Sequence, residues 1–269
     1  MFQPNSPQPW LALKTSSGQS PTYSIGAGAR ESAALVLLDD AFASIVAAIR
    51  QGRRIYDNIR KAIAFTVAVH VPIAGLSMVP VFLPAWPLLL LPVHIVFLEL
   101  IIDPACSLVF EAERAEANVM RRPPRRSTDR LFSRATMIVA LLQGVTVLAV
   151  CLAIFMLSRV EHGPDAARAL TFSALVVALL ALILTNRSWT RSSLAMLAAR
   201  NPALWWVVAG GSAVLAAVLL LAPVRALFSF APVHADDVAL SLLAGFICLA
   251  WFEALKRTRW WKHMQGVAD

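Results

Sequence analysis

Six long apolar stretches, at residues 62–82, 88–110, 135–157, 169–184, 203–222 and 238–255, limit what this chain can fold into. A helix needs about 20 predominantly apolar residues to cross the hydrocarbon core of a bilayer. Of the 269 residues 58% are apolar and 15% charged, whereas soluble domains carry about 25% charged residues. The implied fold class is an all-α membrane protein, a bundle of six transmembrane helices. Between the first two stretches, Leu83-Pro84-Ala85-Trp86-Pro87 makes an uncharged turn, so this pair forms a hairpin.

The net charge of +8 does not gather into one patch, which argues against a nucleic-acid partner. Basic residues alternate with the apolar stretches, and their sidedness sets an orientation. With the N-terminus on the cytoplasmic side, 21 Lys and Arg fall there and only Arg159, Arg168 and Arg225 on the other. Both termini are then cytoplasmic, and the bilayer is the first partner. The basic cluster at 256–262, with Trp260 and Trp261, suits an interfacial anchor or an unstructured basic tail. Cys106, Cys151 and Cys248 lie far apart inside apolar stretches, which is neither a disulfide framework nor a zinc spacing.

Residues 1–29 are rich in Pro, Ser, Gln and Gly and lack the apolar core of a signal peptide; they are expected to be disordered. Residues 33–38 form a short apolar run closed by Asp39-Asp40, the pattern of a buried strand, yet nothing upstream could supply its sheet. The strand is orphaned. After it, Phe42, Ile45, Val46, Ile49, Tyr56 and Ile59 recur at helical spacing, with no stop before the first span. One helix of about 40 residues, roughly 60 Å long, would include a cytoplasmic stalk.

Of 16 acidic residues, only Glu99 and Asp103 lie deep in an apolar stretch. A carboxylate there costs several kcal/mol unless paired, protonated or hydrated, and such residues mark ion or proton paths. Four residues apart, the two share a helix face. Pro104 has no N–H to offer the Leu100 carbonyl, and Pro72 likewise frees that of Ala68. Carboxylate and carbonyl oxygens are the donors a hard cation takes. His70 joins these as a candidate ligand in the first span, and His94 is a weaker one. Without a cation, a structural polar pair would account for the acids. No phosphate loop, nucleophile elbow, zinc signature or dinucleotide fingerprint occurs, so no cofactor is expected in this chain beyond a transported cation.

Ala33 to Ile49 (AALVLLDDAFASIVAAI) followed by Gly52-Arg53-Arg54-Ile55-Tyr56-Asp57-Asn58-Ile59-Arg60-Lys61 resembles the end of the phosphorylation domain and the stalk of P-type cation-transporting ATPases. Pro92-Val93-His94-Ile95-Val96-Phe97-Leu98-Glu99-Leu100-Ile101-Ile102-Asp103-Pro104 is similar to their sixth transmembrane helix, and Met120-Arg121-Arg122-Pro123-Pro124-Arg125 to the loop after it. The resemblance is strongest to the calcium-pump-like branch in a bacterial version. It implies that the six spans are the family's helices five to ten, in a bacterial plasma membrane.

The resemblance also implies a division of the chain. Residues 1–29 look unrelated, 30–61 are the end of the phosphorylation domain and the stalk, 62–258 the transport domain and 259–269 a tail. Asp103 falls where the family has a ligating carboxylate. Glu99 and His70 stand where calcium pumps carry amides, and Ile102 and Ile73 replace a hydroxyl and an acid. Calcium, magnesium, manganese and protons are therefore all open. The Asp-Lys-Thr-Gly phosphorylation motif, the Thr-Gly-Glu motif and the nucleotide-binding domain are missing from these residues. The expectation is a transport domain that does not hydrolyse ATP alone and works with a companion chain carrying the catalytic domains. The alternative is a non-catalytic remnant, scaffold or regulator.

Overall fold

The structure, a computed structural model, describes residues 42–124, 134–189, 191–197 and 200–258. The strand expected at 33–38, the N-terminal segment and the tail lie outside the described residues. The molecule divides into a unit of residues 1–49, of which 42–49 are described and helical, and a unit of residues 50–269. The helix that begins in the first unit runs on into the second, which holds every other described element.

That helix, α1, covers Phe42–Phe82 without a break and contains Pro72 and Pro80. Thr66 and Ser77 each return their hydroxyl to the carbonyl four residues back, on Ala62 and Ile73. It ends where Pro84 and Pro87 begin to deny the backbone further donors. Helix α2, Pro92–Pro104, starts with proline in its first turn, where the missing N–H costs nothing. Its start is closed by His94, whose Nδ1 accepts the Leu91 N–H at 3.1 Å. After Pro104 the backbone winds as a π-helix over Ala105–Phe110.

Helix α3, Arg134–Asn186, is 53 residues long, about 80 Å at 1.5 Å per residue, against about 30 Å of hydrocarbon. Gly163 inside it has φ 81° and ψ 174° and is followed by Pro164. Only glycine adopts that conformation readily, so the helical path breaks there. A short helix, α4 (Ser193–Leu197), precedes α5 (Pro202–Leu220). The Asn201 side chain caps α5, its Oδ1 accepting the Leu204 N–H at 3.2 Å. A further short helix, α6 (Ala222–Leu227), leads to α7 (Ala235–Lys256). In α7, Asp236 and Asp237 occupy the first turn and Lys256 the last, matching the helix dipole at both ends.

By length and composition α1, α2 with its π extension, α3, α5 and α7 are each able to cross a membrane. They are inside out by the standard of a soluble protein. Only 28% to 44% of their apolar windows is buried, while Phe82, Val96, Leu157, Trp206, Leu220 and Phe246 are largely exposed. Apolar exposure on this scale in water would drive association; in lipid it has no such cost. The chain is an integral membrane protein.

Inside, α3 packs most extensively on α7, and α5 packs on the π-helix, α2 and α3. Phe65, Phe110, Phe155, Phe172 and Phe252 are fully buried in one core. The approach of α3 to α1 depends on Gly144. A Cβ there would stand 2.7 Å from the Ala68 carbonyl oxygen and 2.6 Å from Val71 Cβ. Small residues at helix crossings do the packing that the hydrophobic effect cannot drive in lipid.

Candidate cation-binding face

Thr66 and His70 lie one turn apart on α1, and Glu99, Asp103 and Cys106 succeed one another along α2 and its π extension. The two helices bring His70 Nε2 to 3.6 Å from Glu99 Oε1. His70 Nδ1 lies 2.8 Å from the Thr66 carbonyl oxygen. A carbonyl only accepts, so Nδ1 carries a hydrogen and Nε2 is the nitrogen turned to Glu99. Thr66 Oγ1 also sits 3.3 Å from Cys106 Sγ.

The candidates do not all converge. Asp103 is exposed, and its backbone carbonyl accepts from Ser107 Oγ at 2.8 Å. Among the described residues, the one trio of ligand atoms within 4.8 Å of one another is His234, Asp236 and Asp237 at the start of α7, not His70, Glu99 and Asp103. The His70 and Glu99 side chains remain 50% and 39% exposed. This is one wall of a site, open on the other side.

The two proline-freed carbonyls have different surroundings. Pro104 offers no hydrogen to Leu100, and the N–H of Ala105 goes to Ile101 and Ile102. The π winding starts at this point, a feature that recurs at functional sites. The Ala68 carbonyl is turned to Gly144 on α3. The second histidine, His94, is fully buried among Phe172, Phe228 and Phe230. Its Nε2 is 2.9 Å from the Phe228 carbonyl oxygen, and with Nδ1 accepting from Leu91, both ring nitrogens are engaged. It pins the loop after α6 to the start of α2. Arg168 fastens the same region, donating to the carbonyls of Leu88 and Ser229.

Sequence reasoning missed a second set of charges. Between the end of α2 and residue 201, acids and bases that read as loop residues are buried and paired. Arg187 Nε meets Glu113 Oε2 at 2.7 Å, with 0% and 2% of the side chains exposed. Lys61 Nζ meets Glu116 Oε1 at 2.7 Å, with 1% and 7% exposed. Ser188 Oγ donates to the other oxygen of Glu116 and Asn201 Nδ2 to Glu113. Asp57 on α1 pairs with Arg122. From the same helix, Arg53 donates to the carbonyls of Val119 and Arg122, and Arg54 and Asn58 to that of Glu113. At the end of α7, Glu253 accepts from both Ser193 Oγ and Lys256 Nζ. This ionic layer holds residues 53–61 of α1 against the 111–122 loop.

Comparison with known proteins adds the ancestry. The family model for the C-terminus of cation-transporting ATPases matches residues 87–258. A calcium-transporting ATPase of Bacillus subtilis is 34% identical over 166 residues, 60% of this chain and 18% of the relative. The potassium-transporting ATPase alpha chain 1 of Xenopus laevis is 40% identical over 119 residues, 43% of this chain and 11% of its own length. A human sodium/potassium-transporting ATPase alpha-2 subunit is 42% identical over 108 residues, 39% of this chain and 10% of that subunit. The chain thus covers less than a fifth of the length of these relatives.

Proposed function

The chain belongs to the family of cation-transporting ATPase C-termini, and from that membership we propose that it is the membrane transport domain of a P-type cation pump. Glu99, Asp103 and His70 furnish part of the cation site, with the Leu100 carbonyl as a further oxygen. One observation carries the reading: His70 and Glu99, from two helices at membrane depth, meet on a face that these helices leave half-open. A carboxylate turned to lipid costs several kcal/mol. Such a face belongs against further protein or a water-filled path. The rest of a pump would supply that cover, together with the phosphorylated domain that drives transport.

The same reading takes six spans, with α3 crossing twice. Its length and the conformation of Gly163 support this. Both termini face the cytoplasm of a bacterial plasma membrane, which the distribution of Lys and Arg and the bacterial relatives support.

The test is to isolate the tagged chain from its own membrane in mild detergent and supply ATP. The expected result is a phosphorylated aspartate in an Asp-Lys-Thr-Gly segment, in the same or a co-isolated polypeptide, whose formation depends on a cation. Glu99→Gln and Asp103→Asn should each weaken that cation dependence. A chain isolated alone, with no phosphorylated species, would replace the pump by a remnant or scaffold.

A further inference from the structure

We infer that the ion taken between α1 and α2 is a divalent transition-metal ion of borderline softness, of the Zn2+ or Co2+ type, rather than Ca2+ or Mg2+. This rests on the reading of His70 and Glu99 as cation ligands and names the class of ion they select.

The first ground is the histidine. With Nδ1–H held by the Thr66 carbonyl at 2.8 Å, the ring is fixed in orientation and its Nε2 faces the carboxylate. A ligating histidine is oriented in this way, its second nitrogen donating to a backbone carbonyl. Calcium draws on six to eight oxygens and magnesium on an octahedron of them. Neither has a use for a ring nitrogen, whereas imidazole suits zinc and its neighbours in the first transition row.

The second ground is distance. Nε2 and Oε1 are 3.6 Å apart, beyond the roughly 2.7–3.2 Å of a hydrogen bond. Two ligands about 2.1 Å from a tetrahedral ion stand roughly 3.4 Å apart. The gap is wide enough to admit a shared ion.

The experiment is metal binding to the full chain, in lipid nanodiscs with whatever co-isolates, read by Co2+ absorption and by competition. Co2+ should give ligand-field bands of a site containing nitrogen. Zn2+ should displace it at a concentration about tenfold or more below that of Ca2+, by the difference in ligand preference. His70→Asn and His70→Gln should each lower Zn2+ and Co2+ affinity by about tenfold or more and so narrow or abolish their advantage over Ca2+. His70 is half-exposed, so both variants should fold, which their elution volume and tryptophan emission will show. Equal displacement by Ca2+ and Zn2+, or His70 variants with unaltered Co2+ spectra, would overturn the inference while Glu99→Gln still weakened cation binding. Binding insensitive to Glu99→Gln would overturn the transport reading as well.

Discussion

Replacing Arg187 by methionine should destabilise this protein more than almost any other single change. The guanidinium is fully buried and makes three contacts: Nε to Glu113 Oε2 at 2.7 Å, Nη2 to Glu113 Oε1 at 3.5 Å and Nη1 to the Met196 carbonyl at 2.9 Å. Methionine fills most of the volume, so little of the loss is cavity. The substitution strands a Glu113 carboxylate, 2% exposed, with Asn201 Nδ2 at 3.1 Å as its one remaining side-chain donor among the described residues. Removing one partner of a buried ion pair costs about 3–5 kcal/mol. The double variant Arg187→Met/Glu113→Leu removes the stranded charge, and Asn201 keeps its bond to the Val109 carbonyl at 3.0 Å. Its cost should therefore fall at least about 1 kcal/mol below the sum of the single costs, within the range found for contacting residues. The assay is reversible unfolding in mixed micelles, titrated with SDS and followed by the emission of the eight tryptophans. An Arg187→Met cost under about 1 kcal/mol, or strict additivity in the double variant, would refute the claim that this layer organises the fold.

Two further expectations use the same assay. Gly144→Val should cost about 1–3 kcal/mol by overpacking, because its Cβ would meet backbone oxygen at 2.7 Å. Gly52→Ala, with nothing within 4 Å of the new carbon, should stabilise by about 0.5–1 kcal/mol through helix propensity. If the two shifts have the same sign, the packing argument fails. Asn201→Ala should cost about 2 kcal/mol, the upper end for a lost N-cap, since the amide also serves Glu113 and Val109; a loss below about 0.5 kcal/mol would show the cap to be idle.

The helices were legible because an apolar run of about 20 residues has few other solutions. Their ends were less so, and the reasons are particular. The fourth apolar stretch starts at 169, yet the helix extends back to Gly163. Arg168 and Asp165 pair with each other, and Arg168 also reaches the carbonyls of Leu88 and Ser229. Polar residues that find partners need not end a helix. The second stretch starts at 88, but Pro92 and the His94 cap delay the helix. In the site, the Glu99–Asp103 spacing was visible because it lies within one helix. The facing of His70 and Glu99 across two helices was not, nor was the pairing of Glu113 with Arg187, 74 residues apart. Lys and Arg outside the apolar stretches read as markers of sidedness, and nothing local to them reveals that Lys61 and Arg187 are buried.

Burial is therefore inverted between the two sets of charges. The loop acids Glu113 and Glu116 are enclosed and paired within this chain, whereas the acids of the span, Glu99 and Asp103, are open. A charge network that closes on itself does not need whatever covers the other face. Glu99 contacts only His70 among the described ion pairs, at 3.6 Å and 39% exposed, so Glu99→Gln removes little that holds the helices together. Its cost in the unfolding assay should stay within about 0.5 kcal/mol, the range of substitutions outside buried networks, while cation binding falls. A loss above about 1 kcal/mol would mean that His70 and Glu99 hold α1 to α2. The open face would then be a structural contact, and the case for a cation between the two helices would rest on Asp103 alone.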